Sequence, residues 1–237
     1  MFHDLPHWAF KLLGSLLGAA VLFLLLSLSH IPSSAHEGNQ LAVTNAATIP
    51  TSDWNLTLVN PWTPLPAGHT ITVTQLRGGQ SIDQPALQAM MDACRAAGHQ
   101  PVICSSYRPH NKQEALFANK VQRLMAAGYD AEEADQKAAT VVARPGTSEH
   151  ELGLAVDIVD ASYQHLDEQQ ESTPVQQWLM EHCWEYGFIL RYPNGKSDLT
   201  GIIYEPWHYR YVGVETAQAL RESGQCLEEY LQAAKAS

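Results

Sequence analysis

Two short stretches, 148–157 (SEHELGLAVD) and 205–211 (EPWHYRY), restrict this chain more than anything else in it. Between them they supply two imidazoles, His150 and His208, and two carboxylates, Asp157 and Glu205. That is the donor inventory of a hydrolytic zinc site. A catalytic zinc takes three protein ligands from His, Asp, Glu or Cys and keeps a fourth position for water. His150, Asp157 and His208 fill the three places, and Glu205 is left over as a base beside the metal. Any fold that satisfies this pattern must bring distant parts of the chain to one point. Taken one at a time, the same residues have plainer readings. A single histidine is more often solvated or packed than metal-bound, and Asp157 can cap a turn.

The bulk numbers allow this and remove one class of partner. A chain of 237 residues can bury a substantial core in one domain. Its formal net charge of -11 argues against nucleic acid, because phosphate binding needs clustered Lys and Arg.

At the N-terminus, Leu12 to Leu28 is almost wholly apolar (LLGSLLGAAVLFLLLSL). This is near the lower limit for a membrane span and slightly long for a signal-peptide core. Ser33-Ser34-Ala35 offers a small-residue cleavage pattern. Residues 1–30 therefore read as a signal anchor or signal peptide, and either sends the rest of the chain across the membrane. Residues 31–53 are small and polar, as a flexible tether is.

The folded unit is expected over 54–237. WNLTLVN (54–60) alternates like a strand. Leu87, Met90, Met91 and Cys94 mark one face of a helix. Pro101 to Cys104 reads as a buried strand leading to Ser105-Ser106-Tyr107-Arg108. A helix over 110–127 follows, with Ala115, Leu116, Val121 and Leu124 inward, and a weaker one over 132–142. Leu154 to Val159 reads as a strand carrying Asp157. Thr173-Pro174 with Gln176 is a helix start. Phe188–Leu190 and Ile202–Tyr204 read as strands joined through Pro193-Asn194-Gly195, and the chain is helical from Val214. Helices and short strands without a regular βαβ alternation predict an α+β domain, a small antiparallel sheet flanked by helices.

The four cysteines, Cys94, Cys104, Cys183 and Cys226, contain no CxxC pair, which argues against a Cys-only zinc site. An even count in an exported domain suggests disulfides. Cys94 and Cys104 flank a helix-to-strand reversal, which pairs them and leaves Cys183 for Cys226. The alternative is four buried thiols that pack as small hydrophobes.

A hydrolytic site also needs a partner for the charge that develops on the scissile carbonyl oxygen. Arg108, after its strand, is the candidate, with a surface ion pair as its plainer role. Gln113 and Ser148 can hydrogen-bond a peptide substrate. Trp207, Tyr209 and Tyr211 read as packing residues, and Arg210 as a residue that either holds a carboxylate or touches substrate.

The pattern Ser148-x-His150-x-x-Gly153-x-Ala155-x-Asp157, with Glu205-x-Trp207-His208-x-Arg210-Tyr211, resembles the two signatures of the VanY-type D-alanyl-D-alanine carboxypeptidases. These zinc peptidases share their metal site with lysostaphin-like enzymes and the hedgehog signalling domain. Ser106-Tyr107-Arg108 with Gln113 resembles a third family element, and the likeness runs from about Trp54 to Val214. It implies one Zn2+ on His150, Asp157 and His208, with Glu205 as base and Arg108 on the carbonyl oxygen. Ser148, Gln113 and Ser106 would bind substrate. Ser106 and Pro109 depart from the glycine and serine usual there. The implied reaction removes the terminal D-alanine from peptidoglycan stem peptides ending in D-Ala-D-Ala. A monomer at the outer face of the cell membrane is expected. The rival readings are an L,D-carboxypeptidase, an endopeptidase on the same fold, and an idle wall-binding module.

Overall fold

The computed structural model describes residues 54–66, 68–76, 81–82 and 85–236. The apolar segment and the tether of residues 1–53 lie outside the described residues. Among the described residues no helix is long and apolar enough to cross a membrane.

In chain order the elements are β1 (Thr74–Gln75), β2 (Ser81–Ile82), α1 (Ala86–Ala96), β3 (Pro101–Ser105), α2 (His110–Ala126) and α3 (Ala131–Ala139). Then come α4 (Glu149–Leu152), β4 (Ala155–Asp160), α5 (Pro174–His182), β5 (Phe188–Leu190) and α6 (Ser197–Thr200). β6 (His208–Tyr211), α7 (Val214–Ser223) and α8 (Leu227–Ala236) complete the chain. β1 and β2 form a small antiparallel pair, and a four-stranded antiparallel sheet runs in the order β3-β4-β6-β5. The domain is α+β.

The sheet works through its period of two. Val156 and Ile158 of β4 and Tyr209 of β6 face a core made by Leu87, Met90 and Met91 of α1 with Val175 and Leu179 of α5. Successive side chains on a strand point to opposite faces. Asp157 and His208 therefore point the other way, and the register sets them directly opposite each other. Ser105 of β3 pairs with Asp157 on the other side. The helix start at Thr173 is built as its sequence predicts: the Thr173 hydroxyl accepts the Gln176 backbone N–H at 3.3 Å. Gln176 then spends its side chain on the sheet, accepting the Tyr209 hydroxyl at 2.7 Å and donating to the Ile158 carbonyl.

Several elements depart from the sequence expectation. Trp54–Leu56 is a 3-10 turn, not a strand. Arg210 Nη2 takes the carbonyls of Asn55 and Thr57, each at 2.9 Å, so these acceptors serve a side chain instead of a ladder. Ile202–Tyr204 is not a strand either, because the Ile203 N–H donates to the Thr140 carbonyl after α3. On α2 the expected inner face is not buried: Ala115 and Leu116 are exposed, Val121 and Leu124 half-buried, and Gln113 fully buried. This helix packs on α3, where Ala134 and Ala138 supply the buried contact. The C-terminal helical region breaks at Gly224, which caps α7 at φ 66° before α8 begins.

The expected disulfides Cys94–Cys104 and Cys183–Cys226 are absent, and all four cysteines are free thiols. Cys94 points into the α1 core, whereas Ile103 is the β3 residue that packs on that core. Cys104, one residue on, therefore faces away, and its thiol donates to the Asp157 carbonyl at 3.4 Å. Cys183 is buried in the same core as Cys94, while Cys226 is buried at the turn into α8.

Candidate active site

Ser148 caps the short helix α4: its hydroxyl accepts the His150 backbone N–H at 3.3 Å. Gly153 ends α4 in the left-handed region, at φ 75°, which a residue with a Cβ adopts only with strain. That reversal carries the chain from His150 into β4 and Asp157 within one turn. His150 thus stands on a helix. Its Nδ1 lies 2.8 Å from the Ser106 backbone carbonyl. With the proton on Nδ1, the lone pair of Nε2 is free for the site, and Nε2 lies 3.2 Å from Asp157 Oδ2. On the other side, His208 Nδ1 lies 3.2 Å from Asp157 Oδ1 and 3.7 Å from Glu205 Oε2.

The donor atoms of His150, Asp157 and His208 all lie within 4.8 Å of one another, and all three residues are buried. The imidazole rings meet edge to face, with centroids 4.9 Å apart. Asp157 Oδ1 is buried without a hydrogen-bond partner. Such an orphaned carboxylate oxygen is costly unless a cation or donor occupies the space before it. The donor set, two imidazoles and a carboxylate, suits zinc. The residues present therefore fit the ion that the sequence pattern implies.

Electrostatics sharpen the picture. Burial alone would raise the Asp157 carboxyl, but the two imidazoles beside it hold it well below the usual range. Burial pushes the His150 imidazole down. Burial acts the same way on His208, yet Asp157 and Glu149 outweigh it and push that imidazole up to about 9. Burial pushes the Glu205 carboxyl up to about 8, against the pull of His208.

These groups line a cavity of 350 Å³, together with Arg108, Ser148, Tyr192 and Trp207. Arg108 is fixed in the wall: Nη1 donates to Gln113 Oε1 at 2.8 Å, Nη2 to the Ser105 hydroxyl at 2.7 Å, and Nη2 lies 3.6 Å from Asp157 Oδ2. Two of the residues expected to bind substrate stand behind the wall. Gln113 divides its amide between Arg108 and the Ala143 carbonyl. The Ser106 hydroxyl accepts the Ser81 N–H at 3.1 Å, and its carbonyl holds His150.

Sequence reasoning passed over Glu149. This fully buried carboxylate takes Arg191 Nε and Arg210 Nη1 on Oε1, both at 2.7 Å. Its Oε2 lies 3.5 Å from His208 Nε2. Arg210 thus holds a carboxylate, one of its two expected roles. The signal for Glu149 was its place next to a ligand; its partners are far away in sequence.

A family model described as D-alanyl-D-alanine carboxypeptidase, VanY, matches residues 80–214. The chain belongs to the VanY family. A D-alanyl-D-alanine carboxypeptidase of Enterococcus faecalis is 45% identical over 186 residues, which are 77% of this chain and 68% of that one. VanYB in complex with D-alanine-D-alanine is 44% identical with a TM-score of 0.69, covering 76% of this chain and 98% of that one. A variant of the vancomycin resistance D,D-pentapeptidase VanY from a VanB-type resistance cassette, in complex with Zn(II), is 45% identical with a TM-score of 0.68. Here the shares covered are 75% and 99%. As a VanY family member the protein is a zinc metallopeptidase.

Proposed function

We infer that this protein is a zinc-dependent D-alanyl-D-alanine carboxypeptidase that releases the terminal D-alanine of peptidoglycan stem peptides. The observation that carries this reading is the meeting of His150, Asp157 and His208 donor atoms within 4.8 Å, with Glu205 Oε2 3.7 Å from His208 Nδ1. It is supported by VanY relatives whose names include both the substrate and the metal.

His150 Nε2, His208 Nδ1 and an oxygen of Asp157 would hold the ion. Zinc, when bound, supplies a Lewis acid that polarises a carbonyl and makes water more acidic. Glu205 is the base: its carboxylate takes a proton from the attacking water and returns it to the leaving amine. Burial raises the Glu205 carboxyl, and a zinc ion beside it would pull it back down, toward the carboxylate that a base requires. Arg108 presents N–H donors to the negative charge that develops on the scissile carbonyl oxygen. Gln113 keeps that guanidinium in place, and Ser148 offers its hydroxyl to the peptide from the cavity wall.

Residues 1–30 form a signal anchor or signal peptide, 31–53 a tether, and 54–237 the peptidase domain, which works at the outer face of the membrane. The apolar run from Leu12 to Leu28 supports this layout. The test of the reaction sets a stem pentapeptide ending in D-Ala-D-Ala beside the tetrapeptide. Alanine release from the pentapeptide is expected. Release from the tetrapeptide alone would reassign the enzyme as an L,D-carboxypeptidase.

A further inference from the structure

Behind the site, the buried Glu149, Arg191 and Arg210 and the half-buried Glu228 form a closed cluster of charges. Arg191 and Arg210 both donate to Glu149 Oε1. Arg191 also turns Nη1 and Nη2 onto the two carboxylate oxygens of Glu228, at 2.9 and 2.6 Å. Glu228 is fixed from the other side by Asn60 Nδ2 at 3.2 Å. Two guanidinium groups face two carboxylates, so the cluster is formally neutral. With Oε1 saturated by the arginines, Glu149 Oε2 is left without a hydrogen-bond donor of good geometry, 3.5 Å from His208 Nε2. His208 turns its other nitrogen, Nδ1, to Asp157. Glu228 belongs to α8, which lies beyond the residues 80–214 that the VanY family model matches.

We propose that Glu228 is a positioning residue for the metal centre, acting through Arg191 and Glu149 on His208. The proposal rests on reading His150, Asp157 and His208 as the zinc ligands. A metal-bound imidazole is oriented, and made more basic, by an acceptor at its other nitrogen. Glu149 is that acceptor, but only while its charge is not consumed by the two arginines it contacts. Glu228 neutralises one of them. Without that charge, the cluster carries one net positive charge in a buried site, on the far side of His208 from a dication. The C-terminal helix therefore tunes how well the site holds its ion.

The experiment compares Glu228→Gln with Glu229→Gln in the full chain. Glu229 also ties α8 to the body, through Lys196 at 2.9 and 3.0 Å, but has no path to His208. Zinc affinity is measured by competition with a chelator, alongside thermal unfolding and the kcat and KM of the zinc-saturated protein. Glu228→Gln should weaken zinc binding by on the order of tenfold, and Glu229→Gln should leave it unchanged. Under zinc saturation the Glu228→Gln variant should keep its KM. Equal zinc affinity in Glu228→Gln and wild type would overturn the proposal. So would an equal loss in both variants, which would mean that α8 acts only by docking. Should Glu228→Gln not fold, Glu228→Asp decides. It keeps the charge and should bind zinc within about threefold of wild type; a larger loss would count against a charge mechanism. A wild-type protein that releases D-alanine but shows no such split refutes this proposal alone. A wild-type protein that binds no zinc refutes the ligand assignment beneath it.

Discussion

Arg108 Nη1 donates to Gln113 Oε1 at 2.8 Å, and Gln113 is completely buried. A glutamine that cannot touch solvent, with its other amide end on the Ala143 carbonyl, acts on substrate only by aiming the arginine. Arg108→Ala should lower kcat by about 10²- to 10³-fold, the usual loss for a donor to a developing oxyanion. Gln113→Ala should cost on the order of 10- to 100-fold through misplacement. Both variants should keep their zinc. Steady-state kinetics with metal analysis tests this, and an unchanged kcat in Gln113→Ala would remove its role.

Glu205 is buried beside the ligands without being needed among them. Glu205→Ala should lower kcat by about 10²- to 10⁴-fold, the range for loss of a general base. Turnover at the wild-type rate would transfer the proton work to another group.

Gly187 ends the 3-10 turn after α5 at φ 81°, and a Cβ there would stand 2.7 Å from the Tyr211 ring and 3.0 Å from the backbone of Gly213. Gly195 has nearly the same φ, 77°, with open space around it. Gly195→Ala should therefore cost about 1–2 kcal/mol of backbone strain. Gly187→Ala should cost that plus the clash, which displaces β6 next to His208. Denaturant unfolding of the two variants measures the difference, and equal losses would show that the close approach is unimportant.

His110, at the start of α2, places Nδ1 2.7 Å from Glu151 Oε2, and this hydrogen bond raises its pKa above the usual 6.5. A group whose pKa is raised on folding contributes stability below its unfolded pKa and loses it as pH rises through the folded value. The histidine is mostly solvent-exposed, so the effect is small. The melting-temperature gap between wild type and His110→Ala should be widest below pH 6.5 and shrink above it. A gap that grows with pH would contradict the pairing.

Much of the site was legible because its ligands are declared locally. The spacing from His150 to Asp157 matches one helical turn, a left-handed glycine and a strand, all short-range events. The Thr173 cap and the apolar spacing of α1 were legible for the same reason. What escaped depends on distant partners. Glu149 has meaning only through Arg191, Arg210 and Glu228, none of which is near it in sequence. The alternation of residues 54–60 looked like a strand because nothing local announces that Arg210 takes the carbonyls of Asn55 and Thr57. The apolar positions of α2 kept helical spacing, yet the helix is placed by contact with α3, and Leu116 came to line the cleft. The cysteine pairing failed on a strand's period of two: Ile103 took the inward place that a bridge from Cys94 would have needed Cys104 to hold.

The central claim is that one ion sits where His150, Asp157 and His208 converge. Elemental analysis of the purified chain and its His208→Ala variant, after equal dialysis, tests it most directly. One zinc per wild-type chain and less than about a tenth of that in the variant is the predicted result, since a three-ligand site loses its hold with one imbedded imidazole removed. Equal zinc in both proteins would contradict it.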